Sequence, residues 1–209
     1  MMNEILGSLV VSLDLRDPGT QVHSQRTTGY ALVLGRLLGL SKEELLTLEQ
    51  GSFLHDIGKI HISDRILKKQ RPLSESEWKV MRSHTVTGYA MLSSIPALRE
   101  AAAIVLAHHE RYDGTGYPHR LRSEEIPLGA RVCAVADCLD VLTASDRSYR
   151  RPMSFSEACR QIETERGRHF DPLVVDALLS ISPLQWRQLS VSISRPSIRR
   201  MDWTRDLWP

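Results

Sequence analysis

Leu54-His55-Asp56-Ile57-Gly58-Lys59 is the stretch on which the reading of this chain turns. A histidine and an aspartate stand side by side near the end of an apolar helical pattern, and a lysine follows within one short turn. Neighbouring residues on a helix point about 100° apart, so both can address one metal ion only where it sits beside the backbone at that turn. Alone the doublet is a weak signal. A charged pair before Gly58, with Lys59 near the helix dipole, also describes a solvated helix end. Working outward, the chain adds His23, His84, His108, His109 and Asp137, all in helix-like segments.

The flanking periodicity is helical, and nowhere does it show the sustained alternation of a strand. Helices are predicted over 3–15 and 20–38, the second aligning His23, Thr27, Tyr30 and Leu34 and stopping at Gly39. Ser41 with Glu44 forms a capping box that starts the helix running into His55-Asp56. Residues 60–73 read as a basic loop. A second box, Ser74 with Glu77, starts one helix carrying Trp78, Met81, His84, Gly88 and Met91 on a face. After Pro96, a helix over 97–110 aligns Leu98, Ala101, Val105 and His108. Residues 112–127 are punctuated by glycine and proline and form a loop. The helix over 127–144 sets Cys133, Asp137 and Asp140 on one side. Ser154 with Glu157 caps the next helix, which ends at Gly167, and Asp171-Pro172 opens another as N-cap and N1 proline. The segment 191–209 holds four arginines, two aspartates and two tryptophans and has no clear period.

With 209 residues, 42% hydrophobic and 25% charged, the chain can bury one sizeable core, and the expectation is one all-α domain over 1–190 with a short tail over 191–209. A net charge of +2 gives no general case for nucleic acid. Glu4 near the start, the lack of a basic leader and the lack of a membrane-length apolar run point to a cytoplasmic protein. Cys133, Cys138 and Cys159 lack metal-motif spacing and read as packed, reduced side chains.

One histidine on an apolar face is ordinarily a core residue. Five, with two aspartates, on inward helical faces are another matter, because burying several ionisable groups together is costly unless a cation closes them into a coordination shell. Imidazole and carboxylate without thiolate suit iron, manganese or catalytic zinc. Seven candidate ligands exceed the needs of one ion with an open position. Two ions, ~3.5–4 Å apart and bridged by a carboxylate and a hydroxide, use them naturally in phosphoryl displacement. Asp56 is the expected bridge.

His55-Asp56-Ile57-Gly58-Lys59, His108-His109-Glu110 and Asp113-Gly114-Thr115-Gly116-Tyr117-Pro118 closely resemble the HD-GYP family of HD phosphohydrolases. The likeness continues through Ile126-Pro127, Arg131-Val132, Val135-Ala136-Asp137, Asp146-Arg147, Tyr149-Arg150 and Phe170-Asp171-Pro172, spanning about 13–179. It implies an all-helical HD-domain bundle and metal-dependent hydrolysis of cyclic di-GMP, a bacterial second messenger, to pGpG, with further hydrolysis to GMP as an open alternative. The metals implied are iron or manganese, held by His23, His55, Asp56, His84, His108, His109 and Asp137. Lys59 would contact a substrate phosphate, with Asp56 beside it as a catalytic residue. Tyr117, Asp140, Arg147 and Arg150 are the further expected substrate contacts. The loop Asp113, Gly114, Gly116, Tyr117 and Pro118 would shape the site and, with the tail, meet a receiver or GGDEF-type regulatory partner; homodimerisation is left open.

This chain departs from the family pattern in places. Gly19 stands where members with a third metal carry glutamate, so two ions are predicted. Ala144-Ser145 holds a one-residue insertion, and Ser148 replaces a usual proline. No receiver or sensory domain is read in these residues. The alternatives are an HD-type hydrolase of another nucleotide and a silent sensor of cyclic di-GMP.

Overall fold

The structure is a computed structural model, and it describes residues 2–145 and 151–193, with side chains from residue 7 onward. The helices are α1 (Met2–Asp14), α2 (Thr20–Leu37), α3 (Lys42–Leu54), α4 (Asp64–Leu67), α5 (Glu75–Arg82), α6 (His84–Ser93), α7 (Arg99–Ala107), α8 (Leu128–Thr143), α9 (Phe155–Thr164), α10 (Pro172–Leu179) and α11 (Pro183–Ile193). Short 3-10 turns at Ile57–His61, Pro96–Leu98 and Ser123–Glu125 complete the described elements. No strand occurs among the described residues, and the all-α expectation holds.

Local signals start these helices where the sequence placed them. Ser41, Ser74 and Ser154 each accept a hydrogen bond from the amide three residues on, while the carboxylates of Glu44, Glu77 and Glu157 accept one from the cap amide. Asp171 caps α10 with Pro172 in its first turn.

Helices α2 and α8 pack together at the centre, with α3 against both and α7 against α3. One apolar core runs through Tyr30, Leu34, Leu48, Ile104, Val135, Leu139, Phe170 and Trp186. A second joins Val10, Leu54, Ile57, Leu92, Leu98 and Val105 beneath the turn after α3. The candidate ligands stand on the elements that these two cores hold in place.

Three local readings need correction. Residues 60–73, expected as loop, contain part of a 3-10 turn and the short α4, and Arg16 ties them down by donating to the Ile60 carbonyl, the Ile62 carbonyl at 2.8 Å and Asp64 at 2.6 Å. The helix expected to run from Ser74 past His84 is interrupted at Ser83, which separates α5 from α6. Helix α11 went unread, although Ser182 and Gln185 form a reciprocal cap before it. It crosses the expected 190/191 boundary, and Ile193 packs directly on Gly29 of α2. Residues 194–209 of the tail lie outside the described residues.

Candidate metal centre

Three helices end in the same way. His55 follows α3 and donates from Nδ1 to the Ser52 carbonyl at 2.7 Å. His84 follows α5 by one residue and donates to Met81 at 2.8 Å, and His108 follows α7 and donates to Val105 at 2.8 Å. In each case the acceptor lies three residues back, in the last helical turn, where carbonyls lack an amide partner along the helix. A carbonyl only accepts, so Nδ1 carries a proton and Nε2 is the nitrogen turned toward the cluster. That is the outer support a metal-binding imidazole ordinarily has.

The free nitrogens converge. His23, His55 and Asp56 form one group with ligand atoms within 4.8 Å of one another, and His84, His108 and His109 form a second. Asp56 links them: Oδ2 is 3.4 Å from His55 Nε2, and Oδ1 is 3.5 Å from His84 Nε2. Asp137, from α8, lies 3.2 Å from His23 Nε2. The rings of His55 and His108 are in edge contact at 5.1 Å, closing the two groups into one cluster. All seven expected ligands are brought together.

Electrostatics suit a cation. Burial opposes the charged form of His23, but Asp137 and Asp140 on its two nitrogens outweigh that and raise its pKa to about 9. Burial and the neighbouring imidazoles push His109 down to about 3 and hold His108 well below the ordinary range. Burial would also raise Asp56, yet Lys59 and the surrounding histidines keep its carboxyl well below the usual range. Lys59 Nζ sits 2.7 Å from Asp56 Oδ2. The donor set therefore fits divalent ions: unprotonated nitrogens and carboxylates, buried and facing inward, with a proton on His23 in the place a cation would take.

The close fit under this site depends on glycine. A Cβ on Gly58 would lie 1.9 Å from the His84 carbonyl oxygen, so the turn after Asp56 can reach α6 only without a side chain. Gly116 is similar, since a Cβ there would meet the Arg111 amide at 2.3 Å. The loop expected at 112–127 is thus held against the end of α7. Tyr117 donates its amide to the His109 carbonyl at 3.2 Å, and its ring lies 5.0 Å from the His109 ring. Asp113 Oδ1 accepts from the Thr115 amide and hydroxyl around Gly114, and the Tyr117-Pro118 bond is cis.

Asp140, expected to touch substrate, is fully buried with both oxygens engaged by protein: Oδ2 meets His23 Nδ1 at 2.7 Å, and Arg26 Nε reaches Oδ1 at 2.5 Å. No face of the carboxylate is left for a substrate. Arg147 and Arg150 lie outside the described residues, as do Asp146 and Tyr149. Sequence reasoning missed Arg26, Arg16 and Glu110. Glu110 is buried, and its Oε1 accepts the His119 amide at 2.7 Å. Only its place beside His108-His109 could have drawn notice. Arg26 stands one helical turn beyond His23, a spacing that the sequence did show.

Residues 9–174 match the family model for the HD domain. The chain belongs to the HD-domain family, in its HD-GYP branch. It is 43% identical over 178 residues to the cyclic di-GMP phosphodiesterase response regulator RpfG of Xanthomonas campestris, covering 84% of this chain and 47% of that protein. It is 36% identical to the 3′3′-cGAMP-specific phosphodiesterase 2 of Vibrio cholerae, covering 84% of this chain and 34% of the relative. The chain thus spans half or less of these relatives. Its fold is shared with the crystal structure of a Vibrio cholerae cyclic GMP-AMP-specific phosphodiesterase, at a TM-score of 0.69 and 20% identity over 97% of this chain and 53% of that one. HD-domain phosphohydrolases are metal-dependent, and the cluster found here can hold metal. No helix among the described residues is long and apolar enough to cross a membrane.

Proposed function

We propose that this HD-GYP domain is a metal-dependent phosphodiesterase that hydrolyses cyclic di-GMP to pGpG. The observation that carries this reading is Asp56 between the two ligand groups, one oxygen toward His55 and the other toward His84. A carboxylate so placed supports a two-ion centre of iron or manganese, with His23, His55 and Asp137 on one side, His84, His108 and His109 on the other, and Asp56 shared. When bound, the ions supply Lewis acidity, activating water and neutralising charge on the phosphoryl oxygens.

The chain's own residues supply orientation and charge. Lys59, kept cationic by Asp56, lies beside the bridge and meets the charge that builds on the phosphoryl oxygens or on the departing ribose 3′-oxygen. The backbone carbonyls behind His55, His84 and His108 fix the rings before substrate arrives, so little reorganisation is needed in the transition state. Tyr117, seated on His109, walls one side of the centre.

Elemental analysis of anaerobically purified protein, with product followed chromatographically on the same sample, tests this. Two ions per chain and release of pGpG are expected, and Asp56→Ala should remove both metal and turnover. Retention of either at the wild-type level would sink the bridging role. The likeness to a 3′3′-cGAMP-specific enzyme favours a second substrate reading, and 3′3′-cGAMP belongs in the same assay. Two ions with tight binding and no product would point to a sensor.

A further inference from the structure

Arg16 stands just beyond α1 and donates from both terminal nitrogens of its guanidinium into one segment: Nη1 to the Ile60 carbonyl, and Nη2 to the Ile62 carbonyl at 2.8 Å and to Asp64 Oδ1 at 2.6 Å. Ile60 belongs to the 3-10 turn Ile57–His61, whose middle residue is Lys59. Within it the Lys59 amide reaches the Asp56 carbonyl and the Ile62 amide reaches the Lys59 carbonyl, both at 2.9 Å. Hydrogen bonds of this type are poorer in geometry than those of an α-helix, so a five-residue run gains from outside support. The front of the turn is set by Ile57, buried in the second apolar core, and by Gly58 against α6. Its back is set by Ile62, also buried, and by Arg16. Packing is non-directional, so Ile62 fixes depth, while the fork of Arg16 fixes the direction of the carbonyls and with it the rotation of the turn. Lys59 lies between these supports, with Nζ 2.7 Å from Asp56 Oδ2. Burial opposes its ammonium, and Asp56 and then Asp17, the neighbour of Arg16, offset that.

An arginine donating to successive carbonyls ordinarily pins a loop, and Arg16 does that for residues 60–64. The loop it pins is also the back of the turn that carries the lysine of the candidate site. Resting on the phosphodiesterase reading above, we infer that Arg16 is a positioning residue for Lys59: by orienting the back of the turn it holds the ammonium where charge builds on the phosphoryl or departing oxygen. Arg16 touches no substrate and acts through the backbone of residues 60–62. Without it the turn keeps its buried ends and loses the constraint on its rotation. Asp56 precedes the turn, on the side fixed by Ile57 and Gly58, so the bridge and the ions are expected to stay.

The test is a double-mutant cycle in the metal-loaded full chain: wild-type, Arg16→Ala, Lys59→Met and the double variant, each with cyclic di-GMP and with bis(p-nitrophenyl) phosphate. Single-turnover rates with enzyme in excess keep slow variants measurable. Arg16→Ala should lower the rate about 10- to 100-fold, the range for a misplaced catalytic group, with metal content at the wild-type level. In the Lys59→Met background the same change should cost less than about twofold, because no ammonium is left to misplace. Arg16→Lys keeps the charge without the fork and should recover part of the rate; where Arg16→Ala does not fold, Arg16→Lys carries the same cycle. Equal fold-losses in both backgrounds would mean that Arg16 acts on the fold or on the whole centre, and they overturn the assignment. An unchanged rate or a loss of metal in Arg16→Ala overturns it too, and all these results leave the phosphodiesterase reading intact. Wild-type protein that cleaves the simple diester but not cyclic di-GMP overturns the substrate, and the cycle on the simple diester then decides the role of Arg16. Loaded protein that cleaves neither overturns the reading, and this inference with it.

Discussion

The Nε2 atoms of His84 and His108 face each other at 3.4 Å while both rings give their Nδ1 protons to carbonyls three residues back, in α5 and α7. Two lone pairs at that distance repel unless something positive lies between them. Burial, then the charges of neighbouring imidazoles, keeps His108 from taking a proton for the purpose. Metal should therefore stabilise the fold as well as serve chemistry. An ion present at one hundred times its Kd contributes about 2.7 kcal/mol, or roughly 5–10 °C for a chain of this size. Calorimetric melting before and after chelation should show a fall of that order. An unchanged Tm would separate the cluster from metal altogether.

Asp140→Asn keeps the shape of the side chain but gives His23 a neutral partner and leaves Arg26 without its buried counter-charge. Loss of such outer support ordinarily costs about 10- to 100-fold in metal affinity. Competition against a chromogenic chelator should show that loss for one of two ions, with the KM of reloaded protein near wild-type. A raised KM with unaltered metal affinity would instead return Asp140 to the substrate.

Gly58→Ala introduces a methyl where the His84 carbonyl oxygen and the Gly88 amide already stand, at 1.9 and 2.6 Å from an ideal Cβ. Backbone occupies that space, so no rotamer relieves it. The turn must retreat from α6, carrying Asp56 away from His84. A stability loss of about 1–3 kcal/mol is expected, together with lower metal content. Denaturant unfolding of the metal-free protein isolates the first effect.

The metal-free protein should be most stable near pH 6.5. His109 titrates at about 3 in the fold instead of its ordinary 6.5, so between those values the unfolded chain binds the extra proton and stability falls as pH drops. His23 is raised from 6.5 to about 9, so between those values the folded chain holds the extra proton and stability falls as pH rises. The low-pH slope should be the steeper one, because His84 and His108 are also lowered. Melting temperatures across pH 4–9 on chelated samples measure both limbs, and a curve flat through pH 6.5 would contradict them.

Much of the fold was legible because its signals are local. The three serine-glutamate boxes and the Asp171-Pro172 start need only a few adjacent residues, and each begins a helix as read. The convergence of the candidate ligands was legible through residue type and the family likeness. What escaped depends on partners distant in sequence. Arg16 reaches residues 60–64 across more than 40 positions, and Asp140 meets Arg26 across 114. No spacing rule marks Asp140 as turned inward, since Asp137 and Asp140 share a helical face and differ only in what lies opposite. The interruption at Ser83 was hidden because Ser83 keeps helical dihedrals. The Ser182-Gln185 cap is as local as the others, but α11 lies past Leu179, where the family likeness ends.

The helix endings at His55, His84 and His108 have an effect beyond orienting three rings. The final turns of α3, α5 and α7 lie at the centre, and the end of a helix is its partially negative end. With Asp56 and Asp137 between them, these three helix ends favour positive charge at the centre, which the proton on His23 and the ammonium of Lys59 supply in the metal-free protein. A metal ion entering there would take over the role of that proton, so metal binding should release a proton at neutral pH, with the helix ends holding the ion as they hold the proton.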